Sequence, residues 1–223
     1  MDYALATRPK TPAIRMAGAF TFGIEEEYFL VDAETKSLVR KMPQTFLEAA
    51  NAAAAGRISP EFLQPQIEVI SSPHDNMADA RAELRAPDSC TLIEDSIAIA
   101  ALYRTLARHL YLNRWRNSDL SPVGRAIIVE NKWQAQRHGV HAIFAAEDEA
   151  MTVAEMLERV ICDTAADADA LGCSAEVNRC RTIVSSGTSA DAQLALFTAH
   201  RRSGSLGAAL RAVTDWIAAA TLH

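Results

Sequence analysis

Several things are scarce in this chain. Cys90, Cys162, Cys173 and Cys180 are scattered, with no CxxC pair and no zinc-type spacing, so they read as reduced, partly buried thiols rather than a disulfide framework or a metal knot. No cluster of lysine and arginine breaks the mild acidity, 22 basic against 28 acidic side chains and a formal net charge of -6, which argues against nucleic acid as a partner. No apolar run approaches the roughly 20 residues of a membrane span, and residues 1–16 hold no continuous apolar core between their charges. The expectation is a cytoplasmic protein with no membrane partner. No repeat or low-complexity tract is present. What remains is 223 residues, 49% hydrophobic and 22% charged, ordinary for a globular chain of one or two domains with a real core.

Against that background, residues 23–32 stand out. Gly23-Ile24-Glu25-Glu26-Glu27-Tyr28-Phe29-Leu30-Val31-Asp32 puts three adjacent carboxylates into a run that otherwise reads as a buried strand. Strand side chains alternate, so Phe20, Phe22, Ile24 and Glu26 share one face and Glu25, Glu27, Phe29 and Val31 the other. Two carboxylates roughly 7 Å apart on one face repel each other and resist burial unless a cation or a donor compensates. A divalent metal between carboxylates and phosphates would do so, and so would plain solvation of an exposed edge strand. A second alternating segment, residues 62–73, aligns Gln64, Gln66 and Glu68 on one face and Leu63, Ile67 and Val69 on the other. Pro65 is expected to confine this strand to an edge or a bulge.

Helical patterns dominate the rest. Pro43 to Gly56 reads as an alanine-rich helix stopped by glycine, and Glu94 to Leu112 as a long amphipathic one carrying Ile97, Ala101, Leu102, Leu106 and Leu110. Asn113 to Pro122 reads as a loop. Thr152-Val153-Ala154-Glu155 has the form of a capping box, with Gly172 closing that helix, and further helices fit 175–185, 190–202 and 205–220. The stripe Leu206, Leu210, Val213, Ile217 is expected to pack in the core, and Leu102, Leu106, Leu157, Ile161, Leu194, Trp216 and Ile217 to be buried. The loop 187–191 could present free N–H groups to a phosphate or simply cap the next helix.

Three ordered motifs, residues 23–32, Gln66-Ile67-Glu68-Val69-Ile70-Ser71-Ser72-Pro73 and Glu83-Leu84-Arg85-Ala86-Pro87-Asp88-Ser89-Cys90-Thr91, resemble the type 2 glutamate-cysteine ligases, or carboxylate-amine ligases. Ala98 to Arg104, Glu130-Asn131-Lys132-Trp133 and Arg137-His138-Gly139 are similar to the family's tail. The resemblance implies an α+β fold, a glutamine synthetase-like antiparallel sheet, incomplete here, backed by a mainly helical C-terminal half. It implies a loose arm over 1–19 and one ligase-like domain over 20–223, its strand-containing catalytic part at 20–92 and its helical part at 93–223. Glu25, Glu27, Glu68 and Glu83 are implied as Mg²⁺ or Mn²⁺ ligands, Arg85 as the group gripping a substrate carboxylate or transferring phosphate, and Lys132 and Arg137 as ATP-phosphate contacts, each with a basic helix surface as its alternative. The implied reaction uses ATP to phosphorylate the side-chain carboxylate of L-glutamate, and an amine such as L-cysteine attacks the acyl phosphate, in one chain or a homo-oligomer.

The chain departs from that family in its centre. The strands and His-x-His segment expected between Glu68 and the Glu-Leu-Arg motif are missing, and none of His74, His109, His138, His141, His200 and His223 forms such a pair. The junction lies at 83–87: residues 77–82 favour a helix running into Glu83, whereas Ala86-Pro87 suits the end of a strand. An in-frame internal deletion or a divergent short paralogue would both produce this. The expectation is a ligase by descent with activity weak or lost; the alternative is a non-catalytic metal- or glutamate-binding or oligomerisation remnant.

Overall fold

A computed structural model describes residues 20–60, 65–83, 90–117, 121–146 and 149–221. The first layer is a small antiparallel sheet. Strands β1 (Glu25–Phe29), β2 (Ile58–Pro60) and β3 (Gln66–Ile70) pair in the order β1-β3-β2. β3 is therefore the central strand, not an edge. Pro65 is accommodated because it stands just before the strand, where its carbonyl accepts the Leu30 N–H at 2.9 Å and no ladder donor is needed from it. Only the middle of the 20–32 run is strand proper. Phe22 bridges His74, Val31 bridges Leu38, and Asp32 turns the chain by accepting the Glu34 and Thr35 N–H groups at 3.1 and 2.7 Å.

Helix α1 (Gln44–Ala53) leads back to β2 through a turn that needs left-handed backbone at Ala55 (φ 51°) and Gly56 (φ 83°). α1 contacts β2 but buries none of its own side chains. Helix α2 (Met77–Glu83) carries the helix-forming run after the sheet, with Asn76 Oδ1 accepting the Asp79 N–H at 2.9 Å. Of the two contexts the sequence offers for Glu83, its backbone adopts the helix. Arg85 and the rest of the 84–89 junction lie outside the described residues, as do Phe62 to Gln64 and the 1–19 arm.

The second layer is helical: α3 (Ile93–Leu112), α4 (Pro122–His138), α5 (Val153–Ala170), α6 (Ser174–Ser186), α7 (Ser189–Ser203) and α8 (Leu206–Thr221), with a hairpin of β4 (Ile143–Ala145) and β5 (Ala150–Thr152) between α4 and α5. The capping box at Thr152 and Glu155 forms as the sequence indicates, and Gly172 (φ 64°) follows the end of α5. The core is where α3, α5 and α6 meet: Ile97, Ala98, Ala101, Leu157, Ile161, Ala168, Cys173, Val177 and Cys180 are buried together. Small residues at 98 and 101 let the helices approach closely, and Phe22, Ile24 and α2's Met77 and Ala80 join the sheet end to this core. Leu102, Leu106, Trp216 and Ile217 are half-buried. Leu194, Leu206 and Leu210 are not buried: they are 65%, 54% and 52% exposed. α7 and α8 pack chiefly on each other, so their outer apolar positions have no described neighbour to cover them. No described helix is long and apolar enough to cross a membrane.

Candidate functional site

The β1–β3 register decides which carboxylates meet. Glu27 stands directly opposite Glu68, Glu25 opposite Ile70 and Phe29 opposite Gln66, so Glu25, Glu27, Gln66 and Glu68 share one face, and Ser59 of β2 extends the row beyond Glu68. Directly opposed positions on one face lie close enough for side chains to touch. Both carboxylates take neutral donors: the Gln66 side-chain amide donates to Glu27, and the Ser59 hydroxyl to Glu68 at 3.2 Å. Glu25 and Glu27 are exposed and Glu68 is half-buried. Solvent reaches this face, which eases the repulsion of these like charges.

Glu26 behaves differently. It points to the helix side with Ile24, is 2% exposed, accepts the Tyr28 hydroxyl on Oε2, and leaves Oε1 buried without a hydrogen-bond partner. Burial pushes its carboxyl above the usual range, and the Tyr28 and Ser96 hydroxyls only partly offset this. The glutamate triplet is thus divided by strand alternation into two members for the open face and one for the helix side.

Of the other residues singled out in the sequence, Lys132 and Arg137 have described side chains, whereas the Glu83 side chain and all of Arg85 lie outside the described residues. Lys132 and Arg137 are exposed on α4, which packs mainly on β4 and the turn at Gly139–His141. Glu83 ends α2. Among the described residues no group of three or more His, Cys, Asp or Glu side chains could hold a metal ion. His138 and His141 are exposed, as expected of surface residues.

Two buried polar clusters escape a periodicity reading. Arg104 of α3 is 8% exposed; its guanidinium donates to the carbonyl oxygens of Phe20, at 2.6 Å, and Asp75, and lies 5.4 Å from the Phe22 ring centroid. It ties α3 to the two segments that flank β1 and β3, and burial lowers its pKa from the ordinary guanidinium value. Asp167 of α5 accepts Arg108 and, at 2.8 Å, His109 Nδ1, both from α3. The signal available in sequence was position: Arg104 recurs at helical spacing after Ile97 and Ala101, and Asp167 after Leu157, Ile161 and Thr164, so charged groups fall on apolar stripes.

The family model for "Glutamate-cysteine ligase family 2" matches residues 78–212, most of the helical part. Glu83, Arg85, Lys132 and Arg137 lie within the match; Glu25, Glu27 and Glu68 lie before it. A Bradyrhizobium sp. (strain ORS 278) protein named "Putative glutamate--cysteine ligase 2" is 56% identical over 140 residues, 63% of this chain and 33% of that protein. A protein of the same name from Rhodospirillum rubrum is 38% identical over 143 residues, 63% of this chain and 37% of its own. Another from Ectopseudomonas mendocina is 28% identical over 201 residues, 88% of this chain and 49% of its own. The chain spans about a third of the length of the first of these relatives.

Proposed function

Because the chain belongs to glutamate-cysteine ligase family 2, we propose that the open face of its three-stranded sheet is part of a carboxylate-amine ligase site, on an incomplete glutamine synthetase-like sheet, with turnover weak or lost. The observation that carries this reading is the placement of Glu27 directly across from Glu68, with Glu25 on the same face. The substrates would be L-glutamate, ATP and an amine such as L-cysteine, joined through an acyl phosphate.

The fit to a metal is partial. Glu27 and Glu68 offer adjacent hard oxygens of the kind Mg²⁺ or Mn²⁺ prefers, but no third ligand joins them among the described residues. A bound divalent ion would neutralise charge between phosphate and carboxylate oxygens. The residues at hand do something narrower. Gln66 and Ser59 donate to Glu27 and Glu68 and so fix the direction of both carboxylates on the sheet. Positioning of that kind is what an in-line phosphoryl transfer depends on, and it is the part of the machinery the chain retains.

The test supplies purified chain with ATP, Mg²⁺, L-glutamate and L-cysteine and measures γ-glutamylcysteine. Loss of one main electrostatic contact lowers rate about 100- to 1000-fold, so turnover at least that far below a full-length relative is expected. Turnover equal to the relative's would overturn the incomplete-site reading. Melting curves are the second measurement: Mg²⁺ should raise the melting temperature by binding the folded state, and Glu27→Gln should reduce the shift. Curves identical in Mg²⁺ and in chelator would exclude the sheet face as a cation site.

A further inference from the structure

The opposite face of the sheet and α1 form a cleft that the ligase reading leaves unused. α1 crosses the sheet on the side of Tyr28, Ile58, Ile67 and Val69, and what it offers them is mostly small: Ala50, Ala53 and Ala54, with Phe46 at one end. Alanines cannot reach the sheet, so a space of about 570 Å³ remains between helix and strands. That volume is within the range of small-molecule sites, about 300–1,000 Å³. Its walls are largely apolar, and because Phe29, Phe46 and Ile70 in its lining are exposed it opens to solvent, so a ligand has a way in and apolar area to cover.

Polar groups in the lining are few and specific. Arg57 is the one cation among the described lining residues, at the point where the chain leaves α1 for β2. A guanidinium has five N–H donors in a planar fork, so one that already holds a partner keeps donors for a second. The Ser71 hydroxyl is committed to the Ile24 N–H, at 2.8 Å, and to the Ser72 carbonyl, at 3.0 Å; the Tyr28 hydroxyl is committed to Glu26. An apolar chamber with a single cation in its wall suits an apolar body ending in one negative charge. We propose that the cavity between α1 and the sheet binds a small apolar monocarboxylate, aliphatic or aryl, with its carboxylate on Arg57. The site faces away from Glu27 and Glu68 and is independent of the ligase reading.

Decanoate and 1-decanol are the probes, titrated into the full chain by calorimetry with mass measured by ultracentrifugation. Saturable one-to-one binding of decanoate, at least tenfold tighter than decanol, is expected. Arg57→Gln should lower decanoate affinity about 10- to 100-fold, the usual effect of losing a charge-assisted hydrogen bond, and leave decanol unchanged. Ala50→Leu should fill the chamber and weaken both probes. Should Ala50→Leu fail to fold, Arg57→Gln and the decanol comparison still decide the matter. No saturable binding, equal affinity for the two probes, or decanoate uptake only by self-associated protein would each overturn the proposal.

Discussion

Helices α4 and α6 are built from similar material but meet different surroundings. α4 carries Val123, Ile127, Ile128, Val129 and Trp133 over 17 residues and buries none of them. Val123, Ile128, Val129 and Trp133 are 63%, 53%, 69% and 53% exposed. α6 is no richer in apolar residues, yet Val177 and Cys180 are buried, because α3 and α5 pack across it. Where α4 packs on β4, the Asn131 side chain accepts the Ala145 N–H and donates to the Ala145 carbonyl, both at 2.8 Å, in the manner of a neighbouring strand. Burial is a property of the partner, not of the stripe. The chain's cooperative stability therefore resides in the three-helix core, while α4 and the α7–α8 pair are attached at its margins.

The sharpest way to break this comparison is a pair of truncations. Ile97→Ala in the core should cost about 2–5 kcal/mol, the range for emptying a packed aliphatic site, whereas Val129→Ala on α4 should stay within about 0.5 kcal/mol, as for an exposed position. Urea denaturation of both variants measures the difference, and equal losses would mean that α4 is covered in solution. Next in size is Asp167→Asn. It removes the charge that joins Arg108 and His109 of α3 to α5 and leaves His109, whose Nε2 already lacks a partner, with a neutral neighbour. Leaving a buried polar group poorly satisfied costs about 1–3 kcal/mol, and Arg108 is only partly buried, so the lower half of that range is expected. A variant as stable as the parent would show the cluster is not a joint of the core.

The same contrast explains what could be read in advance. Alternation in residues 23–32 and 66–70 placed Glu25, Glu27, Gln66 and Glu68 on common faces, because a period of two is fixed by strand geometry. It could not give the register that sets Glu27 against Glu68, nor the central place of β3, since both depend on β2. β2 itself left little trace: Ile58-Ser59-Pro60 is three residues long and ends in proline. Helical periodicity found the apolar stripes of α3, α5 and α8, but it reports which side is apolar and is silent on what lies across from it. Leu194, Leu206 and Leu210 sit at such apolar positions and are nevertheless exposed. Arg104 and Asp167 stand on apolar stripes that the sequence shows, but what each binds is not legible there, since partners lie 84 and 58 residues away along the chain.

The smallest effect compares one motif in the two settings. α5 and α7 begin with the same device, a threonine at the N-cap and an acid three residues on, each bonding the other's backbone: Thr152 with Glu155, and Thr188 with Asp191. Removing the hydroxyl with Thr→Ala costs about 1 kcal/mol at either helix, by the usual worth of an N-cap. The readout should differ. Thr152→Ala acts on a helix of the core and should shift the global urea midpoint, whereas Thr188→Ala acts on a helix packed chiefly on α8 and should appear as faster amide exchange confined to α7 and α8. Acid sharpens the test. The Thr188 backbone and hydroxyl hold the Asp191 carboxyl below its ordinary value, so its contribution is present above the unfolded aspartate pKa near 3.8 and is lost as pH falls through the lower folded value. Exchange in α7 should therefore approach that of Thr188→Ala as the pH is lowered below about 3.8, after correction for intrinsic rates. If Thr188→Ala moved the global midpoint as far as Thr152→Ala, α7 and α8 would belong to the cooperative core, and the distinction drawn from their packing would fail.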